Sequence, residues 1–132
     1  IFRDEGKILA SRGINKVTNK VFYRLLGGGL DFFEKGEVGI RREIEEELHS
    51  EIENLQFIDV IENIFSHEDW RGHEIIFLYS GDLARKELYE QQIITIEEET
   101  YQFEAEWIAV TEVLNGNKTL FPALDWKNLL NI

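Results

Sequence analysis

In the stretch "RREIEEEL", Glu43, Glu46 and Glu47 stand at i, i+3 and i+4, the spacing that makes side chains neighbours on a helix surface. Each like-charge pair so placed costs an isolated helix roughly 0.2–0.5 kcal/mol, and more beside an apolar stripe. A divalent cation would offset that repulsion directly. Carboxylate oxygens suit Mg2+ or Mn2+, and Mg2+ shares its coordination shell with waters and substrate phosphates. The competing reading is a solvated acidic face with Arg41 and Arg42 as intrahelical partners. Upstream, Gly27, Gly28 and Gly29 form a run that lets backbone approach a ligand closely near the start of the helix.

Periodicity indicates which elements hold these groups. Ile40, Ile44 and Leu48 share one stripe, predicting a helix over Glu37–Leu48 that packs on a sheet. "KILASRG" (Lys7–Gly13) and "KVFYRLL" (Lys20–Leu26) read as strands, bounded by Gly, Asn and Thr. Leu55–Ser66 and His73–Leu83 read as a long antiparallel pair with "HEDWRG" as the hairpin loop. The polar segment Ala84–Thr100 is expected as a surface loop, Phe103–Val110 as a strand, and Leu124–Leu130 as a closing helix behind Pro122. The sum is a single α/β domain over residues 1–132, with a mixed sheet, one central helix and a C-terminal helix.

Composition limits the partners. The 132 residues are 43% hydrophobic and 12% aromatic, enough for one core. A net charge of −12 argues against general DNA or RNA binding. Small phosphorylated ligands stay compatible, because a bound metal reverses the local sign. With no cysteine, disulfides and thiolate metal sites are excluded, which fits a reducing cytoplasm. No apolar run approaches a membrane span, and the start lacks the pattern of a secretory signal. A soluble, cytoplasmic protein is expected. The opening "IF" reads as a strand already under way, so further N-terminal sequence is expected too.

Glycines, helix and glutamates together resemble the Nudix hydrolase signature, G-x5-E-x7-R-E-U-x-E-E-x-G-U, where U is bulky and aliphatic. Here it reads Gly28, Glu34, Arg42-Glu43-Ile44, Glu46-Glu47, and every specified position matches except the last two. There the glycine is His49 and the aliphatic is Ser50. A glycine closing a helix often serves left-handed geometry, which histidine tolerates better than most residues. The element order also resembles the family's α/β/α sandwich.

The resemblance implies hydrolysis of a nucleoside diphosphate linked to another group, by water and a divalent metal. Glu43, Glu46 and Glu47 would be metal ligands, with Glu43 also a possible general base. Gly27 or Gly28 would lend a carbonyl to the metal, Glu34 would bind a further ion or hold the loop, and Arg42 would orient the glutamates. The chemistry agrees: metal neutralises the pyrophosphate and acidifies water, while a positioned carboxylate takes its proton. In several family members a further carboxylate comes from a loop before the strand ending in Trp and an aliphatic. Glu97, Glu98 and Glu99 occupy that region, with Glu98 the nominated ligand and a solvated acidic loop the alternative.

For substrate contacts, Gly28 and Gly29 lie beside the site, and Arg24 and Arg12 could meet phosphates. Trp70, expected in the hairpin loop, could stack on a base or cap the core edge. His67 and His73 read as hairpin surface residues. The proline and tyrosine that mark ADP-ribose and diadenosine polyphosphate subfamilies are missing from Ile64–Asp69, and the coenzyme A motif is not visible. "FPALDW" loosely resembles a base-reading segment, with Asp125 as a conceivable acceptor. The substrate is thus expected to be a nucleoside di- or triphosphate derivative, and a homodimer is a further expectation. The competing class is a Nudix-like nucleotide-binding module without catalysis, although such modules usually lose box glutamates that this chain keeps.

Overall fold

The computed structural model describes every residue except Glu68, and His67 by its backbone alone. Among the described residues, a six-stranded mixed sheet and a separate two-stranded ribbon carry the architecture. The strands are β1 (Arg3–Asp4), β2 (Lys7–Ile14), β3 (Val21–Leu25), β4 (Ile52–His67), β5 (Trp70–Leu83), β6 (Ile93–Glu97), β7 (Gln102–Ala109) and β8 (Leu120–Phe121). Helix α1 spans Gly36–Leu48, α2 Val110–Leu114 and α3 Trp126–Leu129. The sheet runs β6-β7-β2-β3-β8 with β1 on β2. Within this sheet, among the described residues, β3 and β8 pair in parallel and the other pairs are antiparallel.

Alternation along β2 divides the core in two. Leu9 joins Ile44 and Leu48 of α1, Ile52, Leu83 and Trp107 on one side of the sheet. Ile8 and Ala10 join Tyr23, Ile108, Leu120 and Trp126 of α3 on the other. With side chains of a strand pointing alternately to opposite faces, the result is the expected α/β/α layering.

The segment Ala84–Thr100 corrects the reading as a loop. Lys86–Glu90 forms a 3-10 turn and Ile93–Glu97 is β6, an edge strand on β7. Leu88, Ile94 and Ile96 are buried, so the short alternation in "IITIE" is a half-buried strand inside a polar stretch. Trp107 Nε1 donates to the Leu88 carbonyl at 3.0 Å, and Tyr89 stacks on Trp107. The closing helix is shorter than expected. Asp125 caps it, accepting from the Asn128 backbone N–H at 3.2 Å, which commits the side chain proposed to read a base.

The antiparallel ribbon β4–β5 follows expectation, with both strands longer than predicted. Of the loop expected between them, Glu68 and the His67 side chain lie outside the described residues. Trp70 is the first residue of β5 and packs on Phe65, with ring centroids 5.5 Å apart, so it sits on a strand and outside both core clusters. His73 bonds Glu62 at 2.9 Å on the exposed surface, as a hairpin residue should.

The C-terminus of α1 settles how His49 and Ser50 replace glycine and an aliphatic. His49 takes left-handed geometry, φ 51° and ψ 44°, and its N–H donates to the Glu45 carbonyl. Ser50 is only 2% exposed; its hydroxyl donates to the Glu51 carbonyl and accepts from the Arg85 N–H. The Arg85 guanidinium donates to the Leu48 carbonyl at 3.1 Å, putting a cation at the negative end of the helix. A non-glycine residue in this conformation costs about 1–2 kcal/mol, part of which glycine returns through its greater freedom when unfolded. His49→Gly is therefore expected to raise the urea-unfolding free energy by about 0.5–1 kcal/mol with an unchanged denaturant slope; lower stability would show that the histidine ring makes a contact worth more than its strain.

Candidate active site

The candidate centre is built where the β3–α1 loop meets α1. Arg42 is its hub. Its Nε and Nη2 grip both oxygens of Glu34 at 2.8 and 2.9 Å. Nη1 donates to Glu43 at 3.0 Å and to Glu46 at 3.2 Å, and Nη2 also reaches the Gly29 carbonyl at 3.1 Å. The planar fork of a guanidinium permits this many directed bonds from one side chain. Glu34 additionally accepts from the Asp31 N–H. Hydrogen bonds from Arg42 hold the Glu34 carboxyl down to about 2, and the same contacts push the Arg42 pKa upward.

Gly28 lies directly under Glu43. A Cβ there would overlap the Glu43 carboxyl group, whereas one on Gly29 would meet nothing. Gly28 is thus required for close approach and Gly29 is occupied by its carbonyl bond to Arg42. Gly27 takes φ 149°, a conformation that favours glycine.

Glu47 has a different environment from its neighbours. It is 7% exposed, and its Oε1 is buried without a hydrogen-bond partner among the described residues. Burial raises its pKa, with the charges of Glu43, Glu98 and Glu46 adding to the effect, and brings it to about 8. Glu45 points outward and is exposed. As placed, no three acidic or histidine side chains among the described residues close into a metal cage, since Arg42 draws Glu43 and Glu46 toward itself. The donors are near one another; the guanidinium holds two of them.

The structure separates candidates that are adjacent or alike in sequence. Of the three consecutive glutamates that begin at the last residue of β6, Glu98 is the one whose charge acts on Glu47, whereas Glu97 accepts from Gln102 and Glu99 is exposed. Arg24 alternates with Tyr23 and so lies on the α1 face of the sheet, shared with Leu26. Arg12 pairs in register with Tyr23 on the opposite face, so it is not brought to the glutamates. Trp70 is at the far end of the ribbon from the β4–β5 base that packs with α1. Arg85, which closes the helix together with Ser50, had no signal in the motif.

The family model for the NUDIX domain matches residues 1–127, and the chain belongs to the Nudix family, whose members hydrolyse nucleoside diphosphates linked to another group. Among solved structures, it is similar to the E. coli ORF135 protein determined in solution, at 20% identity and a TM-score of 0.55, covering 93% of this chain and 77% of that one. At that identity the likeness concerns the fold. A search of curated proteins returns no match. No helix among the described residues is long and apolar enough to cross a membrane.

The raised Glu47 pKa has a definite sign in stability. Between about 4.5 and about 8 the native protein keeps a proton that the unfolded chain has lost, so Glu47 reduces stability increasingly as pH rises through that window. In divalent-free buffer, Glu47→Gln should therefore stabilise the protein near pH 8 by a few kcal/mol, with the gain vanishing near pH 4. Urea unfolding of both proteins at the two pH values measures this, and an equal gain at both would assign the effect to packing.

Proposed function

We propose that the chain is a divalent-metal-dependent pyrophosphohydrolase that cleaves a phosphoanhydride in a nucleoside di- or triphosphate derivative. The observation that carries this reading is Glu47: a buried carboxylate with an orphaned oxygen and three further carboxylates acting on it. A merely solvated acidic face would leave each carboxylate in water, where repulsion is screened. Here packing forces Glu47 into low dielectric beside like charge, a cost of the kind found at functional sites.

The donor set fits Mg2+ or Mn2+. Glu43, Glu46, Glu47 and Glu98 offer hard carboxylate oxygens, Gly28 a nearby backbone carbonyl, and no nitrogen or sulfur ligand competes in the group. When bound, the cation would neutralise pyrophosphate charge and acidify a water molecule. Arg42 orients Glu43 and Glu46 and anchors the loop through Glu34 and Gly29. Glu34, held well below the usual carboxylate range by Arg42, stays charged and serves this anchoring role. Arg24, on the same face of the sheet, suits a substrate phosphate. A carboxylate at the site accepts the proton of the attacking water, with Glu43 and Glu98 the candidates.

The test is release of phosphate-containing products from a panel of nucleoside di- and triphosphate derivatives, with Mg2+ or with chelator. Activity should require the metal and fall by about two to four orders of magnitude in Glu47→Gln. Gly28→Ala should also lose activity, because its new Cβ displaces Glu43, while circular dichroism stays native. Glu45→Gln should behave as wild type. A folded wild-type protein inactive across the panel, yet still binding nucleotides, would instead identify a recognition module.

A further inference from the structure

We infer that Phe32 and Phe33 form an aromatic platform for the planar group of a ligand whose diphosphate the glutamates hold, so that the chain favours nucleotides over base-free polyphosphates. The inference rests on the reading of the glutamate centre as a metal–diphosphate site. The two rings stand at the corner of a tight turn. The Glu34 N–H donates to the Asp31 carbonyl at 3.0 Å, which makes Phe32 and Phe33 the central residues. They are 91% and 95% exposed, with ring centroids 4.4 Å apart and an interplanar angle of 48°.

Both residues run against what folding alone would choose. Phe33 holds φ 67° while φ at Phe32 is negative, the pattern of a type II turn, whose third position calls for glycine or asparagine. A bulky side chain is strained there. Nothing in the core offsets that strain, because each ring packs on the other and belongs to neither core cluster. Backbone strain of this kind concentrates at ligand clamps and active sites.

The frame that carries the rings is fixed to the centre itself. Glu34, directly after Phe33, is gripped by Arg42, which also donates to Glu43 and Glu46. Asp31, directly before Phe32, gives its N–H to Glu34, and its carboxylate lies 3.7 Å from Arg42 Nε. Leu30 fills the space over Gly39 of α1 that a Cβ would need. A platform held this way loses little conformational freedom when a ligand stacks on it.

The chemistry of the rings defines what they take. A phenyl ring offers a π-face and apolar surface but no hydrogen bond, so it recognises planarity and leaves the edge of a base unread. Every base has such a face. The platform therefore separates nucleotides from base-free phosphates without ranking the bases. A lipid surface suits it poorly: the chain carries −12, Asp31 and Glu34 flank the rings, and anionic headgroups would repel them.

Isothermal titration calorimetry in Mg2+ tests this with non-hydrolysable α,β-methylene-ATP and α,β-methylene-CTP, and with methylenediphosphonate as the base-free probe. Phe32→Ser combined with Phe33→Gly should weaken both nucleotide analogues by about five- to one-hundred-fold, the range of base–aromatic stacking, and leave methylenediphosphonate unchanged. Phe33→Tyr should retain nucleotide binding. Phe33→Gly alone should keep or raise the urea midpoint, because it relieves the turn. Equal weakening of all three ligands would make the pair a mere support for Glu34 and overturn the inference. Unchanged nucleotide affinity, a lowered urea midpoint or a wild-type protein that binds neither nucleotide would overturn it as well. Nucleotides that bind through the platform but are never cleaved would support it and count against hydrolysis, so the two readings fail separately.

Discussion

One guanidinium holds the centre of this structure together. Arg42 joins Glu34 and the Gly29 carbonyl on the loop to Glu43 and Glu46 on the helix. It sets the spacing between loop and helix and keeps two carboxylates of adjoining turns from driving each other apart. A lysine could match the charge but not the arrangement, because a single ammonium cannot grip both oxygens of Glu34 while donating in two other directions. Charge balance at the hub is still incomplete. One cation faces four carboxylates, Glu34, Glu43 and Glu46 by hydrogen bonds and Asp31 at 3.7 Å, and neither Glu47 nor Glu98 belongs to its hydrogen-bond set.

That imbalance explains why Glu47 bears the electrostatic burden. Its position follows from the helix phase: Ile44 and Leu48 lock α1 onto the sheet, and Glu47, whose azimuth falls beside that of Ile40 at the edge of the same stripe, is carried inward with them. The β6–β7 turn brings Glu98 from the other side. Core packing thus enforces a juxtaposition that electrostatics opposes, and the cost appears as a carboxyl group that retains its proton near neutrality. Removing a favourable Ile44 or Leu48 contact would relax the site as well as weaken the core.

Much of this was legible in sequence because it is local. The i, i+3, i+4 glutamates, the stripe Ile40-Ile44-Leu48 and the two opening strands need only the periods of helix and strand. Strand β6 was legible in principle, since Ile94 and Ile96 alternate with Thr95 and Glu97, but four residues between Gln91-Gln92 and a glutamate run look like a loop. The choice among Glu97, Glu98 and Glu99 depends on a turn conformation that composition does not determine. Arg12 and Arg24 differ only in which face they occupy. Each strand's alternation is visible, but which of its faces receives α1 depends on the register of β2 with β3, a contact between strands.

The altered end of the signature shows how such nonlocal contacts absorb a local defect. Losing glycine at position 49 need not move the helix end, because His49 enters the same left-handed region and still donates to Glu45. Losing the aliphatic at position 50 exchanges a packing contact for two hydrogen bonds, one of them from Arg85. The guanidinium of Arg85 then satisfies the Leu48 carbonyl, supplying the positive charge that the last turn of α1 lacks. Leu48 follows Glu47 directly, so this closure also fixes the backbone from which Glu47 projects. The departures from the motif therefore fall on stability, and the arginine 35 residues beyond Ser50 keeps them from reaching the carboxylates.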